Sequence, residues 1–342
     1  MRIQSIDYAR GFAALTLPAI HTVLLYSSIS VHQSWAGIIL SFLAEPVAAP
    51  LFMFTMGYSF YISTPKSTGR VLKKVLLFAA LGYGLNFFRT WLPFQCGILP
   101  AELAQLYNVY PQLPRHLSLI LTGDILQFAA ISMFFLHLLR NQPIVGWVLF
   151  FCIAVISPQL WGLHVPGVFA GHVLSLFISD NYAAFFPVFP WLCYPIAGLL
   201  AAQYYKRTKK NVWYNYLLVA GITLLILGVL VSYCSPAHWD KDFYRSNPGR
   251  TIYQTGFLCG WIYFAWRLVP ILHSTVLGKL LEFCSRHVLL LYCLQWIIIG
   301  WGLAFAGYHE LNIFQSLYAV FITTALTLAA TAIVSMRPAK DH

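Results

Sequence analysis

Charge is what this chain has least of. Only 9% of its 342 residues are Asp, Glu, Lys or Arg, and just ten of them are acidic. A soluble globular domain carries about a quarter charged residues, so that class is excluded. The seven cysteines, at 96, 152, 193, 234, 259, 284 and 293, contain no C-x-x-C and no metal-ligand spacing. That removes zinc modules and thiol redox motifs. Most of the cysteines fall in apolar runs and are expected to pack, with a Cys96–Cys234 disulfide left open as an option. No internal repeat of the transporter kind, no low-complexity tract and no terminal soluble domain stands out.

What is present is apolar. Hydrophobic residues make up 59% of the chain, and the mean hydropathy is +0.71. The composition predicts an integral membrane protein. Aromatics reach 17%, with 11 Trp and 20 Tyr, as expected of many helix ends at two membrane interfaces. The net charge of +11 reads as loop charge that sets orientation, so nucleic acid is not an expected partner while membrane lipid is. Only Met1 to Ala9 precede the first apolar run, so the first helix is expected to act as its own insertion signal.

Apolar stretches of spanning length, about 20 residues, lie at 9–29, 36–63, 71–91, 119–140, 144–162, 183–205, 212–233, 251–270, 280–303 and 312–336. The predicted fold is an all-α polytopic helical bundle of about ten transmembrane helices, forming one membrane-embedded domain over 1–342. The fifth stretch is the weakest, being interrupted by Ser157-Pro158. With a cytoplasmic N-terminus, only Arg89, Arg115, Lys241, Arg245 and Arg250 fall outside, and the remaining sixteen of the 21 cations, among them Arg2, Lys66, Arg337 and Lys340, fall inside. This asymmetry places both termini in the cytoplasm, as an even helix count requires.

Within the first stretch, "IDYARGFAALTLPAIH" carries Asp7, Arg10 and His21. Eleven residues at about 100° each turn through about 1100°, so Arg10 and His21 share a helix face and stand roughly 16 Å apart along the axis. Asp7 is one turn before Arg10 and positioned to pair with it. Further polar residues fall at comparable depth: Glu45 before Pro46, Asn86 and Arg89 one turn apart, Asp124 and Gln127 one turn apart. Ionisable residues inside a bilayer normally face a bundle interior or a wet cavity and mark substrate or proton paths. The pattern predicts a polar cavity entered from both sides. Trp161, Trp191, Tyr194 and Trp239 are candidates for stacking on sugar rings or for interfacial anchoring.

The stretch Arg10-Gly11-Phe12-Ala13 with His21 eleven residues after Arg10 resembles the arginine, ten residues, histidine signature of the membrane-bound acyltransferase family 3. Other segments are similar to the related heparan-alpha-glucosaminide N-acetyltransferase group: "HQSW" at 32–35, "PLFMFTMGYSF" at 50–60, "GDILQFAAIS" at 123–132 and "FFPVFPWLCYPIAGLL" at 185–200. "LGKLLEFCSRHVLLLYCLQW" resembles a late helix shared by both, with Gln295 where that helix commonly has His. Phe128 stands where the glucosaminide group often has Arg. The first family places its histidine at His21, whereas the second has Asn there and uses a His in the following loop, the place of His32.

The resemblance implies an enzyme that moves an acetyl or other acyl group from cytoplasmic acyl-CoA to a hydroxyl or amine of an extracytoplasmic sugar or glycan. Acetyl-CoA is then the donor, with Arg10, Arg70, Lys73 and Lys74 available to its phosphates. Either His21 or His32 acts as base or takes the acyl group itself, and Glu45 orients an imidazole or binds the acceptor. Asp7, Asn86, Arg89, Asp124, Gln127, Trp191 and Gln295 would line the cavity, with no metal. A bacterial inner membrane is the expected location, and a homo-oligomer is among the expected assemblies. A transporter or flippase for a lipid-linked or small polar substrate is the alternative that intramembrane charges also fit.

Overall fold

The computed structural model describes residues 3–336 except 66, 111 and 112, and the side chains of these except 44–46 and 115. Arg2, Lys66, Arg337 and Lys340 therefore lie outside the described residues, as do the side chains of Glu45 and Arg115. Among the described residues the chain is helical throughout, with two isolated β-bridges, Ser27 to Leu311 and Gly123 to Ala184.

The long helices are α1 (Gln4–Tyr26), α2 (Trp35–Phe42), α3 (Ala49–Ile62), α4 (Thr68–Asn86), α5 (Ile125–Leu139), α6 (Pro143–Leu160), α7 (Cys193–Arg207), α8 (Lys210–Cys234), α9 (Pro248–Leu272), α10 (Val276–Arg286), α11 (Val288–Ala306) and α12 (Ile313–Ser335). A π-helical turn, Leu43–Ala48, joins α2 to α3, and another, Phe87–Trp91, extends α4. Every predicted apolar stretch is occupied by helix. Among the described residues six helices are long and apolar enough to cross a membrane: Thr68–Gln95, Pro143–Leu160, Lys210–Cys234, Pro248–Leu272, Val288–Ala306 and Ile313–Ser335.

The difference from ten has a physical cause. The fourth stretch breaks at Thr122-Gly123, because Gly123 leaves the helix to exchange backbone hydrogen bonds with Ala183 (2.8 Å) and Phe185 (2.9 Å). A short helix, Arg115–Leu121, thus precedes α5. The second stretch is divided by its π turn, the long helix of the sixth starts only at Cys193, and the first carries Asp7, Arg10 and His21; the ninth is parted at His287, between α10 and α11, yet keeps a spanning helix in Val288–Ala306. Conversely, α6 runs through Ser157-Pro158 without a break, with the Ser157 hydroxyl donating to the Ile153 carbonyl.

The interior sits where α3 and α7 cross and where α1 meets α9 and α10. Phe54, Tyr58, Trp191, Tyr194, Trp213 and Tyr214 are buried together there. Cys193, Cys259 and Cys284 are buried in the packing as expected, while Cys96 and Cys234 are free and exposed. On α1, a Cβ at Gly11 would stand 2.0 Å from the Leu281 carbonyl oxygen, so only glycine permits this approach of α10. That contact brings Ser285, on α10, to the Asp7 and Arg10 end of α1.

Candidate functional site

Two cavities meet inside the bundle. The wider holds about 610 Å³ and has Arg10, Lys74, Arg140 and Arg286 on its wall together with Ser59, Ser63 and Thr64. Apart from Thr55 and Tyr292 the rest of its lining is apolar, including Met53, Met56, Phe78, Phe128 and Met133. The narrower, about 90 Å³, is lined by His21, Arg89, Tyr107, Asp124, Phe185, Tyr244 and Trp296. Leu17, Phe52, Ile125 and Tyr292 belong to both walls, so they form the collar between the chambers. Arg10 thus faces one chamber and His21 the other, from one face of one helix.

Each basic group of the wide chamber is held differently. Arg10 donates from Nη2 to Asp7 Oδ1 (3.2 Å) and from Nε to Ser285 Oγ (3.0 Å), and that hydroxyl donates to the same Asp7 oxygen (2.8 Å). The three groups close a ring that fixes the guanidinium. Arg140 caps the end of α3, with Nη1 donating to the Phe60 carbonyl and Nη2 to those of Tyr61 and Ser63, at 2.7–2.9 Å. Arg286 pairs with Glu282 at 3.1 Å. Arg70 and Lys73 are exposed on α4 but line neither chamber, because Lys74 is the cation of that turn on the cavity side.

From outside both linings the buried Gln295 side-chain amide reaches His21 Nδ1, with Oε1 at 3.2 Å and Nε2 at 2.9 Å. When Nδ1–H donates to Oε1, the lone pair of His21 Nε2 is free to accept a proton. The His21 ring lies 4.1 Å, centroid to centroid, from Trp296. On the wall of the narrow chamber, which His21 also lines, Arg89 Nη2 meets Asp124 Oδ2 at 2.6 Å. Tyr292 donates to that oxygen at 3.1 Å, while Oδ1 accepts from the Ile125 amide at 2.7 Å. Arg89 is 4% exposed and sits in the π turn after α4. A Cβ at Gly300 would stand 2.6 Å from the Arg89 carbonyl oxygen, so α11 presses directly on that turn.

Several predicted cavity residues instead support the walls. Asn86 donates to the Ile120 (2.9 Å) and Thr122 (2.6 Å) carbonyls, satisfying the end of the short helix at the break. Gln127 accepts from the Asp124 amide at 3.1 Å and completes a capping box that starts α5. Trp191 is 2% exposed in the core and donates from Nε1 to the Tyr244 carbonyl, so it lines neither chamber. Asp7 acts through Arg10.

His32 also lies away from both chambers. Its ring is 5.4 Å from that of His309, and its Nε2 is buried without a hydrogen bond. Burial, and then the neighbouring His309, lower its pKa, against a smaller opposing effect of the Ser27 backbone. Glu45, the third predicted catalytic residue, has its side chain outside the described residues. The structure adds Ser285, Arg140, Arg286, Tyr292 and Trp296. The last two precede and follow Gln295 on the "YCLQW" segment, whose spacing of three and four residues places Tyr292, Gln295 and Trp296 on one side of α11.

The model of the acyltransferase family 3, described as an acyltransferase domain, matches residues 3–336, and the chain belongs to that family. No curated protein is matched.

Proposed function

We propose that this membrane acyltransferase takes an acetyl group from acetyl-CoA on the cytoplasmic side and passes it to a hydroxyl or amine of a sugar or glycan on the other side. The observation that carries this reading is the pair of chambers joined at one collar, basic at one end and histidine-bearing at the other. Coenzyme A has the matching asymmetry: phosphates at one end and a slender uncharged arm ending in the thioester. Phosphates would meet Arg10, Lys74 and Arg286 through charge-assisted hydrogen bonds. The arm would follow the apolar wall of the wide chamber, bringing the thioester to the collar. There His21 Nε2 takes the proton of the attacking acceptor.

The same reading has the basic chamber opening to the cytoplasm, ten membrane crossings with both termini inside, and a bacterial inner membrane as the setting. The excess of cations in the assigned inner segments supports that orientation.

The donor is tested with purified protein. Acetyl-CoA and CoA should raise its thermal midpoint by mass action, and acetyl-CoA should be slowly hydrolysed without acceptor. Arg10→Ala is expected to raise the KM for acetyl-CoA about 10- to 100-fold, the loss of one or two charge-assisted hydrogen bonds. Arg70→Ala and Lys73→Ala should leave it within about threefold. An Arg10→Ala protein with an unchanged KM would count against the assignment of the basic chamber.

Gln295 supplies a second expectation. Gln295→Leu keeps the size of the side chain but removes the acceptor that holds Nδ1–H. It should lower kcat about five- to tenfold, the worth of one hydrogen bond, with KM for acetyl-CoA unchanged. Steady-state rates at several donor concentrations separate the two constants, and a wild-type kcat would show that the amide does not set the tautomer.

A further inference from the structure

The narrow chamber holds a cation to which proton transfer by His21 gives no task. We propose that Arg89 is a further catalytic residue, whose guanidinium stabilises the oxyanion that forms on the thioester carbonyl during transfer. The inference rests on the donor reading above.

Arg89 is buried, and a buried arginine in a membrane bundle is costly unless its donors are used. The other well-fixed arginines use more of theirs, with three hydrogen bonds each. Arg140 donates to three carbonyls. Arg245 engages Nε, Nη1 and Nη2 with Asp242 and Asn181. Arg89 differs: of its five N–H donors, the ion pair to Asp124 takes one at Nη2, and the buried Nε has no hydrogen-bond partner. Asp124 is shared with other donors, its Oδ2 accepting from Tyr292 and its Oδ1 from the Ile125 amide.

Position completes the argument. Arg89 and His21 line the same chamber of about 90 Å³, which has room for only a few water-sized groups. An acetyl group held there within reach of His21 also meets Arg89. Both side chains also rest on Trp296, His21 at 4.1 Å and the Arg89 Cζ at 4.7 Å from the ring centroid. The π turn and the pressure of α11 at Gly300 hold the Arg89 backbone from the other side.

In the step itself, the acceptor oxygen or nitrogen bonds to the carbonyl carbon and gives its proton to His21 Nε2. The carbonyl π pair moves onto oxygen, where Arg89 compensates the charge. Collapse restores the carbonyl and breaks the carbon–sulfur bond. The CoA thiolate leaves with the proton returned by the imidazolium. If His21 instead takes the acyl group first, the same oxyanion forms, so the assignment of Arg89 holds on either route. A donor aimed at charge present only in the transition state acts on kcat and not on KM.

The test uses full-length protein with Arg89→Lys, which keeps a charge beside Asp124 but loses the planar fork, and Arg89→Gln. Arg89→Lys should fold like wild type and lose at least tenfold in kcat, with KM for acetyl-CoA within about threefold. Arg89→Gln should lose 10²–10³-fold, the usual consequence of removing an oxyanion donor. If Arg89→Gln does not fold, Arg89→Lys carries the test alone. A wild-type kcat in Arg89→Lys, or a raised KM at constant kcat, overturns the inference while leaving the donor reading intact. A wild-type protein that neither hydrolyses acetyl-CoA nor is stabilised by CoA overturns both.

Discussion

Replacing His21 with alanine is expected to reduce acyl transfer by about 10²–10⁴-fold, the range for loss of a positioned general base, with CoA binding retained. His32→Ala should stay within about threefold of wild type. Two features separate the histidines. His21 lines the narrow chamber, has its Nδ1 held by Gln295, and shares that lining with Arg89. His32 pairs with His309 outside both chambers, off the route proposed for the thioester. Initial rates of transfer and of acceptor-free hydrolysis, measured beside CoA-induced thermal stabilisation, distinguish lost chemistry from lost binding. A His21→Ala protein within threefold of wild type, or a His32→Ala protein that falls as steeply, would sink the assignment.

The positions of the helices were legible in the sequence because apolar length is a strong signal in a chain with so few charges. The link between Arg10 and His21 was legible for a similar reason, since helical periodicity alone puts them on one face. The breaks were harder to see. Asp124 and Gln127 carry the three-residue spacing of a capping box, yet inside an apolar run they read as cavity residues, and only Asp124 lines a chamber. Asn86 was read in the same way, and it satisfies carbonyls at that same break.

Depth along a helix can be counted from sequence, but rotation towards a cavity depends on partners far away in the chain. For that reason Lys74 could not be separated from Lys73, and Trp191 could not be separated from the core. The roles of Ser285 and Tyr292 arise only when α10 and α11 dock against α1 and α5. From sequence alone Arg140 and Arg286 are simply inside charges. Their place at the wide chamber follows from the same docking.

The second large effect concerns the crossing that shapes the wide chamber. Gly198→Ala is expected to lower stability by at least about 3 kcal/mol, the upper end of ordinary overpacking. A Cβ at Gly198 would stand 1.9 Å from the Phe54 carbonyl oxygen, and one at Gly57 would stand 1.9 Å from that of Pro195. Both obstacles are backbone, so neither can rotate away, and α3 and α7 would have to separate along their crossing. Close approach through small residues is a main source of helix association in a membrane, where lipid supplies no hydrophobic drive between helices. The consequence extends to the site, because the chamber-facing side of α3 supplies Met53, Thr55, Met56 and Ser59 to the wide chamber. Moving α3 would loosen the donor's path, so Gly198→Ala should also raise the KM for acetyl-CoA in whatever fraction still folds. Tryptophan fluorescence on heating in detergent, together with KM, measures both parts. A thermal midpoint within about 2 °C of wild type would show that the crossing accommodates a methyl group; a lowered midpoint with an unchanged KM would show that it shapes the fold without shaping the chamber.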